Sequence, residues 1–82
     1  MPQMYILQSE LNGRYYIGSA VDVSIRLSRH NAGHHISTKA WRPWKVIYTE
    51  TFDTLSEAWC REREIKSWKN PQYMLKTLHL ED

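Results

Sequence analysis

Glu62 is the residue that solubility alone explains least. At about 100° per residue, a helix starting near Thr54 or Ser56 and running to Lys69 gathers Leu55, Ala58, Trp59 and Ile65 into one apolar stripe, with Glu62 near its centre and Glu64 on the opposite side. A carboxylate among apolar neighbours has to be paired or to coordinate a metal, because desolvation otherwise neutralises it. A divalent cation is one partner open to it. The other is a lysine bordering the stripe, Lys66 or Lys69.

Two more groups have chemistry-bearing spacing. Tyr5 and Tyr16 lie in short β-branched and aromatic runs on either side of Asn12-Gly13, a strong turn dipeptide. A Glu10–Gly13 loop pairs Tyr5 with Gly18 and Leu7 with Tyr16, placing both tyrosines on one face as diagonal neighbours about 7–8 Å apart. A two-residue Asn12-Gly13 turn keeps them on that face but further apart. Gly18 beside them removes bulk where a ligand backbone would approach; ordinary aromatic packing on a sheet explains the same pair without function. Arg26 and His30 are one helical turn apart and share a face. An arginine fork holds phosphate bidentately and a histidine moves protons near neutral pH, though a solvated helix face gives the same spacing. His30, His34 and His35 with Cys60 also invite a zinc site, but no Cys-x-x-Cys or His-Glu-x-x-His spacing supports one.

The elements that have to position these groups follow from local signals. Residues 4–9 and 14–19 form the hairpin. Asp22 caps a helix over 23–32 that Gly33 stops. Residues 34–44 carry loop signals, a third strand covers about 45–50, and the glutamate helix stops before Pro71 because the residue preceding a proline disfavours helical dihedrals. Residues 72–80 add a short terminal helix through Tyr73, Leu75 and Leu78.

With 82 residues, 41% hydrophobic and 24% charged, the chain reads as one soluble domain, 1–82, and excludes disordered, collagen-like and repeat classes. No apolar run approaches the roughly 20 residues a bilayer span needs, and the start lacks a signal-peptide pattern, so the expectation is a cytoplasmic protein with no membrane partner. The lone Cys60 forms no intramolecular disulfide and is read as inert. Net charge is only +2, but residues 13–45 carry six basic side chains (Arg14, Arg26, Arg29, Lys39, Arg42, Lys45) against Asp22 alone, whereas residues 46–57 carry three acids and no base. Such polarity presents a cationic face to phosphates, or simply reflects solvated helix and loop charges.

The three groups fall in a familiar order. Met4-Tyr5-Ile6-Leu7, Tyr16-Ile17-Gly18, the stretch Arg26 to Gly33, Ser37-Thr38-Lys39, Arg42-Pro43-Trp44-Lys45 and the stretch Ala58 to Lys66 together resemble the GIY-YIG nuclease superfamily over nearly the whole chain. The stand-alone bacterial members are the most similar; relatives include the nuclease domain of the excision-repair endonuclease and phage homing endonucleases. Where the first motif often has glycine two residues before its tyrosine, this chain has Gln3.

The resemblance implies an α+β fold, a three-stranded antiparallel sheet flanked by helices in the order ββαβα(α), and metal-dependent cleavage of a phosphodiester in nucleic acid, the expectation being DNA, in repair. Tyr16 would orient or deprotonate the attacking water with Tyr5 assisting. Arg26 would stabilise charge on the transferring phosphorus, His30 would position phosphate or shuttle a proton, and Glu62 would hold Mg²⁺ or Mn²⁺. Mg²⁺ commonly binds through only one or two carboxylates, so one glutamate suffices. Tyrosine ionises with a reference pKa of about 10, so Arg26 and the cation have to lower it; otherwise Tyr16 only positions water. Arg14, Arg29, Lys39, Arg42 and Lys66 would meet the nucleic-acid backbone. The competing expectation is a nucleic-acid-binding module of the same fold that cleaves weakly or not at all and works with a protein partner or as a weak homo-oligomer. Trp41 and Trp44, interleaved with basic residues, would stack on unpaired bases or pack the loop.

Overall fold

A computed structural model describes residues 1–80. β1 (Gln3–Ser9) and β2 (Tyr15–Ala20) form the hairpin, followed by α1 (Val23–Ala32), a one-turn α2 (Ile36–Lys39), β3 (Trp44–Thr51), α3 (Leu55–Ser67) and α4 (Pro71–Thr77). The sheet is antiparallel throughout in the order β2-β1-β3, which makes β1 central. The α+β architecture and the element order are those expected from the sequence, except that the stretch 34–44 contains α2.

The hairpin uses the longer loop. Gly13 adopts a left-handed φ of 78° and its N–H donates to the Ser9 carbonyl (2.9 Å), while the Ser9 hydroxyl accepts from the N–H groups of Leu11 (3.1 Å) and Asn12 (3.2 Å). Tyr5 therefore pairs with Gly18 and Leu7 with Tyr16.

Side chains alternate across a strand, and β1 is buried on both faces. Met4 and Ile6 pack with Ile65, Met74 and Leu78 beneath α3 and α4; Tyr5 and Leu7 pack with Ala20, Val23 and Trp44 beneath α1. A bulge in the β1–β3 pairing, where Ile6 faces Tyr48 but Leu7 faces Val46, lets the adjacent residues Ile47 and Tyr48 both pack on the first cluster. Each main helix starts on a side-chain cap: Asp22 accepts from Ile25 N–H, Thr54 from Glu57 N–H, and Asn70 from Gln72 and Tyr73 N–H. α3 ends at Ser67, two residues short of Lys69, which takes a left-handed φ of 53°.

The apolar stripe of α3 is shifted from its expected position. Ala58 and Ile65 are its buried residues and Leu55 lies at the margin. Trp59, one position and about 100° round from Ala58, is 52% exposed. Glu62 accordingly lies at the rim of the buried face rather than at its centre.

Candidate active site

Tyr5, Tyr16 and His30 form one aromatic cluster under α1. Ring centroids are 6.4 Å apart for Tyr5–Tyr16, 4.8 Å for Tyr16–His30 and 6.3 Å for Tyr5–His30. Gly18 makes this possible: a Cβ there would lie 2.6 Å from the Tyr5 hydroxyl oxygen and 3.1 Å from Tyr16 Cε1. The glycine is needed for the Tyr5 ring itself, not only for an approaching ligand.

His30 is fully buried. Its Nε2 lies 3.2 Å from the Tyr5 hydroxyl and its Nδ1 2.8 Å from Thr38 Oγ1. Thr38 Oγ1 in turn donates to the His35 carbonyl (3.4 Å). The tautomer that satisfies every donor therefore places the ring proton on Nδ1 and lets Nε2 accept from Tyr5. Burial, reinforced by His35 and Arg26, pushes the His30 pKa down to about 4, so the ring is neutral at pH 7. The Tyr5 phenol is pushed up to about 12, mainly by burial and then by Tyr16, with the Arg26 guanidinium opposing and the Glu62 charge adding to the rise. Tyr5 is thus a hydrogen-bond donor, not a base, at neutral pH.

Glu62 approaches β2 from the other layer. Ser19, in phase with Ile17 on β2, turns toward α3 and donates to Glu62 Oε1 at 2.7 Å. Lys66 Nζ lies 2.5 Å from Oε2. The Glu62 side chain is 17% exposed and opens on a recess it shares with Trp59 and Arg63. Arg26 is half-buried and lines a neighbouring cleft of about 390 Å³ together with Ser19, Arg29, Leu55 and Trp59. The five residues singled out in the sequence thus converge around β2, four from the α1 face and Glu62 from the α3 face.

The basic residues divide. Arg29 and Lys39 are exposed. Arg14 is exposed, with its guanidinium 4.7 Å from the Trp41 ring centre. Arg42 donates Nε to the Lys39 carbonyl (2.9 Å) and Nη1 to the Asn31 carbonyl (3.4 Å), which ties together the C-terminal ends of α1 and α2. Lys66 is engaged by Glu62, and Lys69 makes no salt bridge among the described residues. Trp44 is buried, its indole donating to the Thr38 carbonyl at 2.9 Å, so of its two expected roles the structure selects packing. Thr38, His35 and Ser19 complete the site; sequence reading named His35 only as a zinc candidate and Thr38 only within a motif stretch, and did not name Ser19. Ser19 carried a signal in its strand parity with Ile17.

The sequence matches the family profile described as "GIY-YIG catalytic domain" over residues 1–76. The chain belongs to the GIY-YIG family. This GIY-YIG chain is 41% identical to a UPF0213 protein of Staphylococcus epidermidis over 70 residues, 84% of either chain. It is 42% identical to a UPF0213 protein of Staphylococcus saprophyticus over 66 residues, 79% of either chain. It is also similar to the solution NMR structure of the UPF0213 protein BH0048 from Bacillus halodurans, with a TM-score of 0.60 and 26% identity, covering 99% of this chain and 86% of that one. The GIY-YIG domain is of nuclease type, which implies a nucleic-acid partner, and GIY-YIG nucleases are generally dependent on divalent metal.

The residues fit a hard cation. Glu62 contributes a carboxylate and its partner Ser19 a hydroxyl oxygen, the donor type that suits Mg²⁺ or Mn²⁺. Among the described residues no three or more His, Cys, Asp and Glu side chains cluster to hold a metal, His30, His34, His35 and Cys60 included. No helix among the described residues is long and apolar enough to cross a membrane.

Proposed function

We propose that this chain is a divalent-metal-dependent endonuclease that hydrolyses phosphodiester bonds in DNA. One observation carries the reading: a mostly buried carboxylate, held by Ser19 on one face of the edge strand β2, lies across that strand from a tyrosine–histidine cluster, and Ser19 also lines the cleft that holds Arg26. Tyr16, half-buried beside His30, would orient the attacking water or take its proton. Tyr5 keeps its own proton and, through His30 and Thr38, fixes the cluster. A fully buried neutral His30 suits this relay better than direct contact with phosphate. Arg26 would pair with charge growing on the phosphoryl oxygens. Glu62 would hold the Mg²⁺ or Mn²⁺, whose chemistry is to neutralise charge developing on the leaving oxygen. Arg14, Arg29 and Lys39 would contact backbone phosphates. The setting proposed is a single domain, 1–82, working in the cytoplasm, with DNA repair as the process.

One observation favours the second reading, a binding module that cleaves weakly or not at all and acts with a protein partner or as a weak homo-oligomer: Glu62 already has a lysine as its counterion. Supercoiled plasmid, branched DNA and single strands incubated with and without Mg²⁺ or Mn²⁺ separate the two. The endonuclease predicts metal-dependent nicking that falls by roughly 10²-fold or more in Glu62→Ala while the variant stays folded. Undiminished cleavage by Glu62→Ala would place the activity elsewhere. Binding without cleavage on every substrate would select the module.

A further inference from the structure

Lys66 Nζ lies 2.5 Å from Glu62 Oε2. A divalent cation held by that oxygen would have to occupy the volume the ammonium now fills. The other carboxylate oxygen is taken by the Ser19 hydroxyl at 2.7 Å, a neutral partner that does not compete for positive charge. The pair is asymmetric in burial: the Glu62 side chain is 17% exposed and that of Lys66 is 49%. The carboxylate is therefore fixed, whereas the lysine can swing into solvent on its four-carbon stem at little cost. Its own surface extends to the groove that Tyr16 lines, so displacement leaves the ammonium beside the reacting groups.

We infer that Lys66 is the resident counterion of the Glu62 cation site, a side chain that the incoming divalent ion has to displace and that thereby sets the affinity for that ion. The inference rests on the reading of Glu62 as the cation ligand. It assigns Lys66 a task at the metal, whereas the sequence offered it as a partner for the Glu62 carboxylate or as a contact for the nucleic-acid backbone. The arrangement satisfies the carboxylate before the cation arrives, and it raises the cation concentration at which the site fills.

The test is Mn²⁺ binding to the protein alone, read from the loss of the free-ion signal in electron paramagnetic resonance, with no nucleic acid present. Wild type, Lys66→Gln, Lys66→Arg and Glu62→Gln are compared, each checked for folding by circular dichroism. Lys66→Gln should bind Mn²⁺ roughly 2- to 5-fold more tightly than wild type, the range expected when a partly exposed competing charge is removed. Lys66→Arg, which keeps the charge, should not tighten, and Glu62→Gln should lose binding. Equal affinity of Lys66→Gln and wild type, with binding lost in Glu62→Gln, overturns the counterion role and leaves Glu62 as ligand. Equal tightening in Lys66→Arg and Lys66→Gln overturns it too, since charge would not be the cause. Failure of wild type and Lys66→Gln alike to bind Mn²⁺, or binding that survives Glu62→Gln, overturns the reading of Glu62 itself.

Discussion

At the scale of single residues, His30 couples the site to the stability of the chain. Its pKa of about 4 in the fold lies below the ordinary 6.5. Between those values the unfolded chain takes up a proton that the folded chain refuses, so stability present above pH 6.5 is lost as pH falls toward 4. Converted at about 1.4 kcal/mol per unit, this amounts to at most about 3 kcal/mol. Urea-unfolding curves at pH 7 and pH 4.5 should show the loss in wild type and a much smaller one in His30→Gln; parallel losses would remove His30 as the cause. Gly18→Ala gives a second check. The buried Tyr5 ring cannot retreat from a Cβ 2.6 Å from its oxygen, so the variant should be roughly 1–3 kcal/mol less stable and should lose cleavage with it. Normal activity in a folded Gly18→Ala would show that the ring position is not critical. The tyrosine pairing was legible in the turn residues and strand parity, but the burial that suppresses His30 was not, because Thr38 approaches it from a segment that reads as loop.

At the scale of elements, the short α2 and the start of β3 are tied to α1 by polar contacts in addition to the cluster that Val23 and Trp44 share. Asn31 Oδ1 accepts from Trp44 N–H at 2.6 Å and its Nδ2 donates to the Trp44 carbonyl at 3.1 Å. These bonds hold Trp44 under Thr38, and Thr38 under His30. Asn31→Ala leaves buried backbone groups unpaired and should cost roughly 1–3 kcal/mol. By contrast, Thr54→Ala at the α3 cap should cost about 1 kcal/mol. A difference of that order in unfolding free energy is the expected outcome, and equal losses would mean that the Asn31 bonds are replaced by water. Caps, turns and the proline stop are local and were readable. Side-chain to backbone bonds over 13 residues have no periodic signature, which is why the stretch 34–44 reads as loop.

At the scale of the whole molecule, the site lies where two layers meet along the edge strand β2. α1 brings Arg26 and His30 over one face, and α3 brings Glu62 round the other. Away from the Glu50–Arg61–Glu64 ion pairs on the far flank of α3, Arg29 and Lys39 project without an acidic partner among the described residues. If they meet backbone phosphates, Arg29→Ala combined with Lys39→Ala should reduce the slope of log affinity against log salt by about 2 on duplex DNA, and should weaken binding to all sequences alike. An unchanged slope would move the phosphate contacts elsewhere on the surface. Arg42 is excluded from that pair because it is spent on carbonyl groups of its own chain.

The order of the strands and main helices and the shared face of Tyr5 and Tyr16 were determined by the sequence, because turn, cap and periodicity signals act over a few residues; the order of the motifs pointed to the family, and the structure chose between the two hairpin registers. Tertiary structure decided what the neighbours do to each group. It set Glu62 at the rim of its stripe and gave it Ser19 and Lys66, exposed Trp59, buried Trp44, and turned His30 into a neutral link between Tyr5 and Thr38. Burial and long-range hydrogen bonding depend on which surfaces meet, and no spacing along one chain encodes that directly.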